Sequence, residues 1–308
     1  MMKIYDDVNN LPEFKNAILT IGTFDGVHLG HQKIIHQLVE DARRVGGETV
    51  IMTFNPHPRK IIQPDYPLEM LNDFEEKAAL LEKFGIDNLV SIRFNEDFAN
   101  MPAEDYVQNL IYNKFNPQKV IIGYDHHFGK GRTGNIDLLR TMGNNLGFEA
   151  YEISAQQLNE LIISSTKIRK ALHEGNIQLA NNHLGYHYTL NGKVVEGNKI
   201  GRTIGFPTAN IQLDSADKLI PMNGVYAVKV LVNELEYNGM MNIGLRPTVN
   251  GKSRTIEVNI LDFDEDIYYQ PIKVSLYEYI RGEVKFDGIE SLKQQIAKDK
   301  ETVKECFG

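Results

Sequence analysis

The sequence predicts two folded parts in series: an α/β part on a mainly parallel sheet over residues 1–184, then an antiparallel β part over residues 185–308 that ends in a helix. Three observations carry this. At 308 residues the chain is longer than one domain usually runs and can bury two cores. Up to residue 153, short β-branched runs alternate with stretches of helical period, the pattern of βαβ units. From Tyr186 onward, short alternating strands follow one another across Gly and Asn turns without helices, which points to a barrel or a sandwich.

In chain order, the first part should hold strands at residues 17–21, 49–54, 89–93, 119–123 and 148–153. Ile34, Ile35, Leu38, Val39, Ala42 and Val45 give one apolar helical face after the first strand, and Phe74, Ala78, Leu81 and Phe84 give another. Met101-Pro102 opens a third helix, with Pro at a tolerated first-turn position, and a fourth starts near Asn135. Residues 165–172 read as a capped helix, followed by a shorter one over 177–184. The boundary is expected near Gly185. Beyond it, strands are expected at 188–195, 224–232, 236–243, 255–261 and 272–279, with a helix from Ile289 to about Cys306.

Composition narrows the partners. Apolar content of 42% with 24% charged residues is ordinary for a soluble globular protein. A net charge of −8 speaks against a general nucleic-acid binder, so an anionic substrate would be held by local groups. The single Cys306 rules out an intramolecular disulfide and fits a reducing compartment. No apolar run is long enough to span a bilayer, and the start MMKIYDDVNN lacks the order of a signal peptide. A cytoplasmic protein with no membrane and no nucleic-acid partner is therefore expected; a homo-oligomer stays open.

Four polar clusters fall just after expected strands, where ligands of open parallel sheets bind. Gly22-Thr23-Phe24-Asp25-Gly26-Val27-His28-Leu29-Gly30-His31 is a glycine-rich turn running into a helix start, whose free N–H groups and dipole favour phosphate. Asn55-Pro56-His57-Pro58-Arg59 follows the second strand, and Asp125-His126-His127-Phe128-Gly129 follows the fourth. Ser164-Ser165-Thr166-Lys167-Ile168-Arg169 follows the fifth. Nucleotide transfer needs positioning and charge neutralisation more than covalent help. On that basis His28 and His31 would steady an α-phosphate, while Ser165, Thr166 and Arg169 hold the leaving phosphates. The bland alternative for any one cluster is a helix cap or a surface histidine. A zinc site from His28, His31, His57, His126 and His127 competes, but it lacks Cys pairs or a His-Glu-x-x-His helix. No Walker A sequence occurs.

A second constellation lies in the β part. Gly201-Arg202-Thr203-Ile204-Gly205-Phe206-Pro207-Thr208-Ala209-Asn210 is a glycine-containing loop ending in a Thr-x-Asn pair, whose oxygens would meet one cation if the segment is extended. Mg²⁺ suits so sparse a pair because it keeps water and substrate phosphates as its other ligands. The alternative is a turn followed by an edge strand. Glu257 sits in Thr255-Ile256-Glu257-Val258-Asn259-Ile260-Leu261, opposite the apolar face of Ile256, Val258 and Ile260. Lys199 and Arg202 are placed to neutralise phosphate, or are simply solvated.

The runs GTFDGVHLGHQKII, TFNPHP, ISSTKIR and GRTIGFPTANI, in this order along nearly the whole chain, resemble the bacterial bifunctional riboflavin kinase/FMN adenylyltransferases. The resemblance implies a Rossmann-like nucleotidyltransferase domain followed by a Greek-key antiparallel β-barrel kinase domain. It implies ATP and Mg²⁺ at both sites, riboflavin and FMN as substrates, and FMN and FAD as products. Mapped onto this sequence, it assigns His28, His31 and Arg169 to adenylyl transfer, with Gly22, Phe24, Asp25, Asn55, His57, Asp125, Ser165 and Thr166 around ATP and FMN. It makes Glu257 the kinase base and Thr208 and Asn210 the Mg²⁺ ligands. Lys199, Gly201, Arg202, Gly205, Pro207 and Arg281 would hold ATP or riboflavin, Arg281 as part of a closing segment with Glu283 and Phe286. Two departures stand out. Asp125-His126-His127-Phe128-Gly129 has His where many members have Arg, and Glu257-Val258-Asn259 has Asn where members often have His.

Overall fold

Strands that must be covered on both faces need continuous apolar runs, and those of the first part are buried along nearly their whole length. They form a six-stranded sheet in a computed structural model that describes residues 1–154, 163–197, 200–248 and 251–308. The chain divides into two units, Met1–Ser164 and Ser165–Gly308.

In the first unit the strands are β1 (Lys3–Tyr5), β2 (Ile18–Ile21), β3 (Thr49–Asn55), β4 (Asn88–Arg93), β5 (Lys119–Gly123) and β6 (Glu149–Ile153), in the spatial order β1-β4-β3-β2-β5-β6. All neighbouring pairs are parallel. Alternation along the strands feeds two cores. Leu19, Ile21, Val50, Met52, Val120 and Ile122 pack with Tyr106, Leu110 and Phe115 on one face. Ile18, Ile51, Leu89 and Ile121 pack with Ile35, Leu38, Ala78 and Leu81 on the other. The chain winds outward from β2 in both directions, to β3 on one side and β5 on the other. Loops leaving the carboxyl ends of β2 and β5 therefore diverge and open a crevice there.

The expected helices form where their signals lie. Helix Leu29–Val45 starts at an N-cap histidine, ends at left-handed Gly46 (φ 60°) and carries Arg43 and Arg44 in its last turn. Helix Phe74–Lys83 starts with a capping box between Asp73 and Glu76. The segment opened by Pro102 is a short α turn, Ala103–Asp105, followed by a π-helix, Tyr106–Phe115.

The second unit is a closed barrel of β7 (Thr189–Val195), β8 (Ala209–Leu213), β9 (Gly224–Val232), β10 (Leu235–Thr248), β11 (Gly251–Ile260) and β12 (Pro271–Arg281), ordered β10-β11-β8-β7-β12-β9. The pairs are antiparallel. Consecutive β9, β10 and β11 with β12 returning beside β9 make a Greek key. Val225 and Ala227 of β9 lie under Val303 of the terminal helix Ile289–Phe307, and the alternate residues Tyr226, Val228 and Val230 are fully buried on the opposite face.

Three features differ from the sequence expectation. Strand β1, only three residues long, was not foreseen. Strand β8, weighed only as an edge strand after a turn, is instead paired on both sides, between β7 and β11. The helices Ser165–His173 and Ile177–Leu184, expected in the first part, belong to the second unit. Met222 N donates to Leu172 O at 3.0 Å, and Asn181 Nδ2 donates to Leu276 O at 2.9 Å while its Oδ1 accepts from Tyr188 N at 2.8 Å.

Candidate active sites

The turn after β2 is held in a conformation that side chains seldom adopt: Phe24, Gly26 and Val27 have φ of 48°, 86° and 34°. Gly22 N donates to Met52 O at 3.0 Å, which ties the turn to β3. Phe24 is buried, and its ring centroid lies 5.1 Å from that of His31. Asp25 is 1% exposed, and its Oδ1 accepts from Leu71 N at 2.9 Å and Asn72 N at 3.3 Å. Phe24 and Asp25, expected around a ligand, are both packed into this turn.

His28 is the N-cap of the helix, its Nδ1 accepting from His31 N at 3.4 Å. That bond makes Nδ1 the unprotonated nitrogen and leaves Nε2 carrying the proton, a donor poised at a helix start. The His28 and His31 rings stack 3.7 Å apart, 15° from parallel. Burial, then His28, then Lys77 hold His31 well below the usual histidine range, so it is a neutral dipole at physiological pH. Among the described residues its buried Nδ1 meets no hydrogen-bond partner.

The other clusters lie at the strand ends the sequence gives them. Asn55 closes β3, and His57 caps the short helix Pro58–Ile62, its Nδ1 accepting from Arg59 N at 3.1 Å. Asp125 is exposed just after β5. Burial pulls His126 down to about 4 against the opposing pull of Asp125, so His126 stays neutral and does not supply the permanent charge of an arginine. Among the described residues the histidines form no group placed to hold a metal. Ser165, Thr166 and Arg169 occupy the first turns of helix Ser165–His173 in the second unit.

In the barrel, Glu257 and Asn210 are partners in the β11–β8 ladder and so point to the same face. Thr208 joins them, its hydroxyl donating to Glu257 Oε2 at 3.3 Å. Asn259, two residues along the same face, donates to Pro207 O at 2.6 Å and pins the loop over the strand. Gly201 is required, because a Cβ there would collide with the Phe206 carbonyl, and Gly205 turns the chain at φ +85°. Arg202 lies in the short helix Ile200–Thr203, and Lys199 lies outside the described residues. A hydroxyl, an amide oxygen and a carboxylate on one face are hard oxygen donors of the kind Mg²⁺ takes. A shallow, open cleft adjoins Thr208, with Val194, Val258, Ile260 and Phe263 among its walls and Asp264, Glu265 and Asp266 at its lip.

Arg281, expected around ATP or riboflavin, is also bonded within its own unit. Its guanidinium donates to Asp299 at 2.9, 3.0 and 2.6 Å and to Gly282 O at 2.9 Å, tying β12 to the terminal helix. Glu283 accepts from Asn223 Nδ2 at 3.0 Å. Two residues escaped the sequence reading: Lys77, whose ammonium donates to Thr23 O at 3.0 Å, and Asn259 as the loop tether. Lys77 was legible in principle, since it falls on the apolar stripe of Phe74, Ala78 and Leu81 at helical spacing.

The chain is similar to known proteins over nearly its whole length. A family model described as FAD synthetase matches residues 11–167, and one described as riboflavin kinase matches residues 184–307. A bifunctional riboflavin kinase/FMN adenylyltransferase of Buchnera aphidicola subsp. Schizaphis graminum is 40% identical over 99% of both chains. The one of Escherichia coli K12 is 37% identical over 100% of this chain and 98% of its own. A crystal structure described as a macrolide-efflux protein from Streptococcus pneumoniae shares the fold with TM-score 0.89 at 29% identity, over 98% of each chain. Among the described residues no helix is long and apolar enough to cross a membrane. With two matched domains in the same order and full-length relatives of one description, the chain belongs to the bifunctional riboflavin kinase/FMN adenylyltransferase family.

Proposed function

We propose that His28 and His31 serve adenylyl transfer in the first unit and that Glu257, Thr208 and Asn210 serve phosphoryl transfer in the barrel. The two activities go with the family: riboflavin is phosphorylated to FMN, and FMN is adenylylated to FAD with release of pyrophosphate. The observation that carries the assignment is coincidence of site and domain. The FAD synthetase match contains the stacked histidine pair, and the riboflavin kinase match contains the Thr208–Glu257 contact.

In adenylyl transfer an FMN phosphate oxygen attacks the α-phosphorus of ATP, the bond from that phosphorus to the bridging oxygen breaks, and pyrophosphate leaves with the electron pair. His28, protonated on Nε2 by its capping bond, is assigned as donor to the α-phosphate oxygen whose charge grows in the transition state. Neutral His31 supports it as a second dipole. Arg169, Ser165 and Thr166 are assigned to the leaving phosphates; the FAD synthetase match takes in the two hydroxyl residues. Asn55, His57 and Asp125 are assigned to ATP and FMN. Gly22, Phe24 and Asp25 are assigned to the same nucleotide site, as the turn that lines it.

In the kinase step the riboflavin 5′-oxygen attacks the γ-phosphorus, its proton passes to Glu257, and ADP leaves. The carboxylate lies on the same strand face as Asn210 and within reach of Thr208, so base and phosphate site are set by one ladder register. When bound, Mg²⁺ neutralises charge on the transferred phosphates, with Thr208 and Asn210 as its protein oxygens. Gly201, Gly205 and Pro207 shape the loop that carries Thr208, and Lys199 and Arg202 are assigned to phosphate. The cleft beside Thr208 is assigned to the kinase substrate, whose ring would lie against Val194, Val258, Ile260 and Phe263. A cytoplasmic location belongs to the same proposal and is supported by the single cysteine and the use of ATP.

The test is a time course with riboflavin, ATP and Mg²⁺, followed by chromatography. FMN should rise first and FAD follow, and a chelator should stop both. Formation of neither flavin product overturns the proposal.

A further inference from the structure

Under the histidine pair lies a buried cation that the proposed chemistry leaves unused. Lys77 is 5% exposed, although lysine is rarely buried without a matched partner. Its Nζ donates to Thr23 O at 3.0 Å and to Thr53 Oγ1 at 3.2 Å, and the Thr53 hydroxyl donates in turn to Thr23 O at 3.3 Å. The Thr23 carbonyl thus receives two donors at the point where the chain leaves β2 for the strained turn of Phe24 and Val27. An ammonium has three N–H donors, and among the described residues the third meets no acceptor. The charged and titratable groups facing it are Asp25 from the turn and His31 from helix Leu29–Val45; β3 offers only the Thr53 hydroxyl.

We propose that Lys77 is a positioning residue for adenylyl transfer: its ammonium clamps the Thr23 carbonyl, fixes the turn that presents His28, and places a positive charge beside His31 that favours a bound triphosphate. This rests on the assignment of His28 and His31 to the phosphates of ATP. A neutral isostere would keep the packing of the stem and lose both clamp and field. Burial lowers Lys77 to about 8, with Asp25 pulling the other way. The ammonium is therefore present below that pH and is lost as pH rises through it. Its loss releases Thr23 and removes the charge, so adenylylation should have an alkaline limb. A bound triphosphate favours the charged form, so the limb in kcat/KM, which reports the free enzyme, should lie below the limb in kcat.

The test compares the full chain with Lys77→Met and Lys77→Arg, measuring FAD formation from FMN and ATP between about pH 6 and about pH 10. Riboflavin phosphorylation by the same samples reports folding. Lys77→Met should lose ~10- to ~100-fold in kcat/KM for ATP in adenylylation, as misplaced catalytic groups do, keep its kinase rate, and lack the alkaline limb. Lys77→Arg should restore part of the rate and carry no limb near 8, because guanidinium does not titrate there. Wild-type adenylylation in Lys77→Met, or an unchanged limb in either variant, overturns the proposal. Where a substitution abolishes both activities, the lysine ε-carbon resonance of the wild-type chain decides. A midpoint near 8 that rises with magnesium pyrophosphate supports the role, and a midpoint at the ordinary lysine value or one unmoved by pyrophosphate overturns it. His28→Ala separates the two ideas. If it adenylylates at the wild-type rate, the phosphate assignment itself fails; if it is impaired while Lys77→Met is not, only the Lys77 role fails.

Discussion

Replacing His28 by Ala removes two things at once, the acceptor for His31 N at the helix start and the Nε2–H donor assigned to phosphate. Loss of a cap costs ~1 kcal/mol of stability, and loss of one preorganised donor costs ~3 kcal/mol in the transition state, about a hundredfold in rate. His28→Asn divides the two, because Asn is a strong N-cap. Thermal unfolding should show His28→Ala destabilised and His28→Asn close to wild type, while both form FAD from FMN about a hundredfold more slowly. An active His28→Asn would mean that the histidine matters as a cap alone. The same double employment explains what the sequence showed and what it hid. Histidines three apart after a glycine turn announce a phosphate site, but nothing in Asp25 announces that its carboxylate serves the N–H groups of Leu71 and Asn72, a partnership made by residues far along the chain.

Arg281 and Asp299 join two elements, β12 and the terminal helix, by a bidentate pair in which Asp299 is almost wholly buried. Removing the arginine leaves that carboxylate without its counter-charge, which costs roughly 3–5 kcal/mol in comparable buried pairs. Arg281→Met should therefore lower the unfolding temperature of the barrel and leave the KM for riboflavin and ATP near wild type. A raised KM with unchanged stability would instead support the ligand role expected of Arg281 from the sequence. Elements were legible where period and caps agreed, as in helix Leu29–Val45 with its apolar face and its Gly46 stop. Strand β1 was not, because three residues cannot display a period. Strand β8 was legible only as an edge strand, because its polar Asn210 reads as site chemistry, and only pairing with β7 and β11 shows that the same residues close the barrel.

For the molecule as a whole, the two units do not divide where the sequence pattern changes. Alternation of strand and helix gives way to consecutive strands near Gly185, yet Leu172, Leu184 and Asn181 are engaged by the barrel, through the buried apolar faces of their helices and the bonds to Met222, Leu276 and Tyr188. Packing partners distant in sequence leave no local mark, so the boundary expected near Gly185, beside which the riboflavin kinase match begins at residue 184, differs from the edge of the compact unit at Ser165. A fragment of residues 165–308 should fold cooperatively in thermal denaturation, and one of residues 185–308 should be less stable or unfolded. Equal stability of the two fragments would show those helices to be passengers.

The central claim is that one chain carries two separate reactions, with Glu257 serving only the first. Glu257→Gln, supplied in parallel with riboflavin or with FMN alongside ATP and Mg²⁺, tests it most directly. The variant should form FMN ~10²- to ~10⁴-fold more slowly than wild type, as removal of a general base does, and should convert added FMN to FAD at the wild-type rate. A folded variant that loses both reactions together, or one that phosphorylates riboflavin undiminished, would contradict the account.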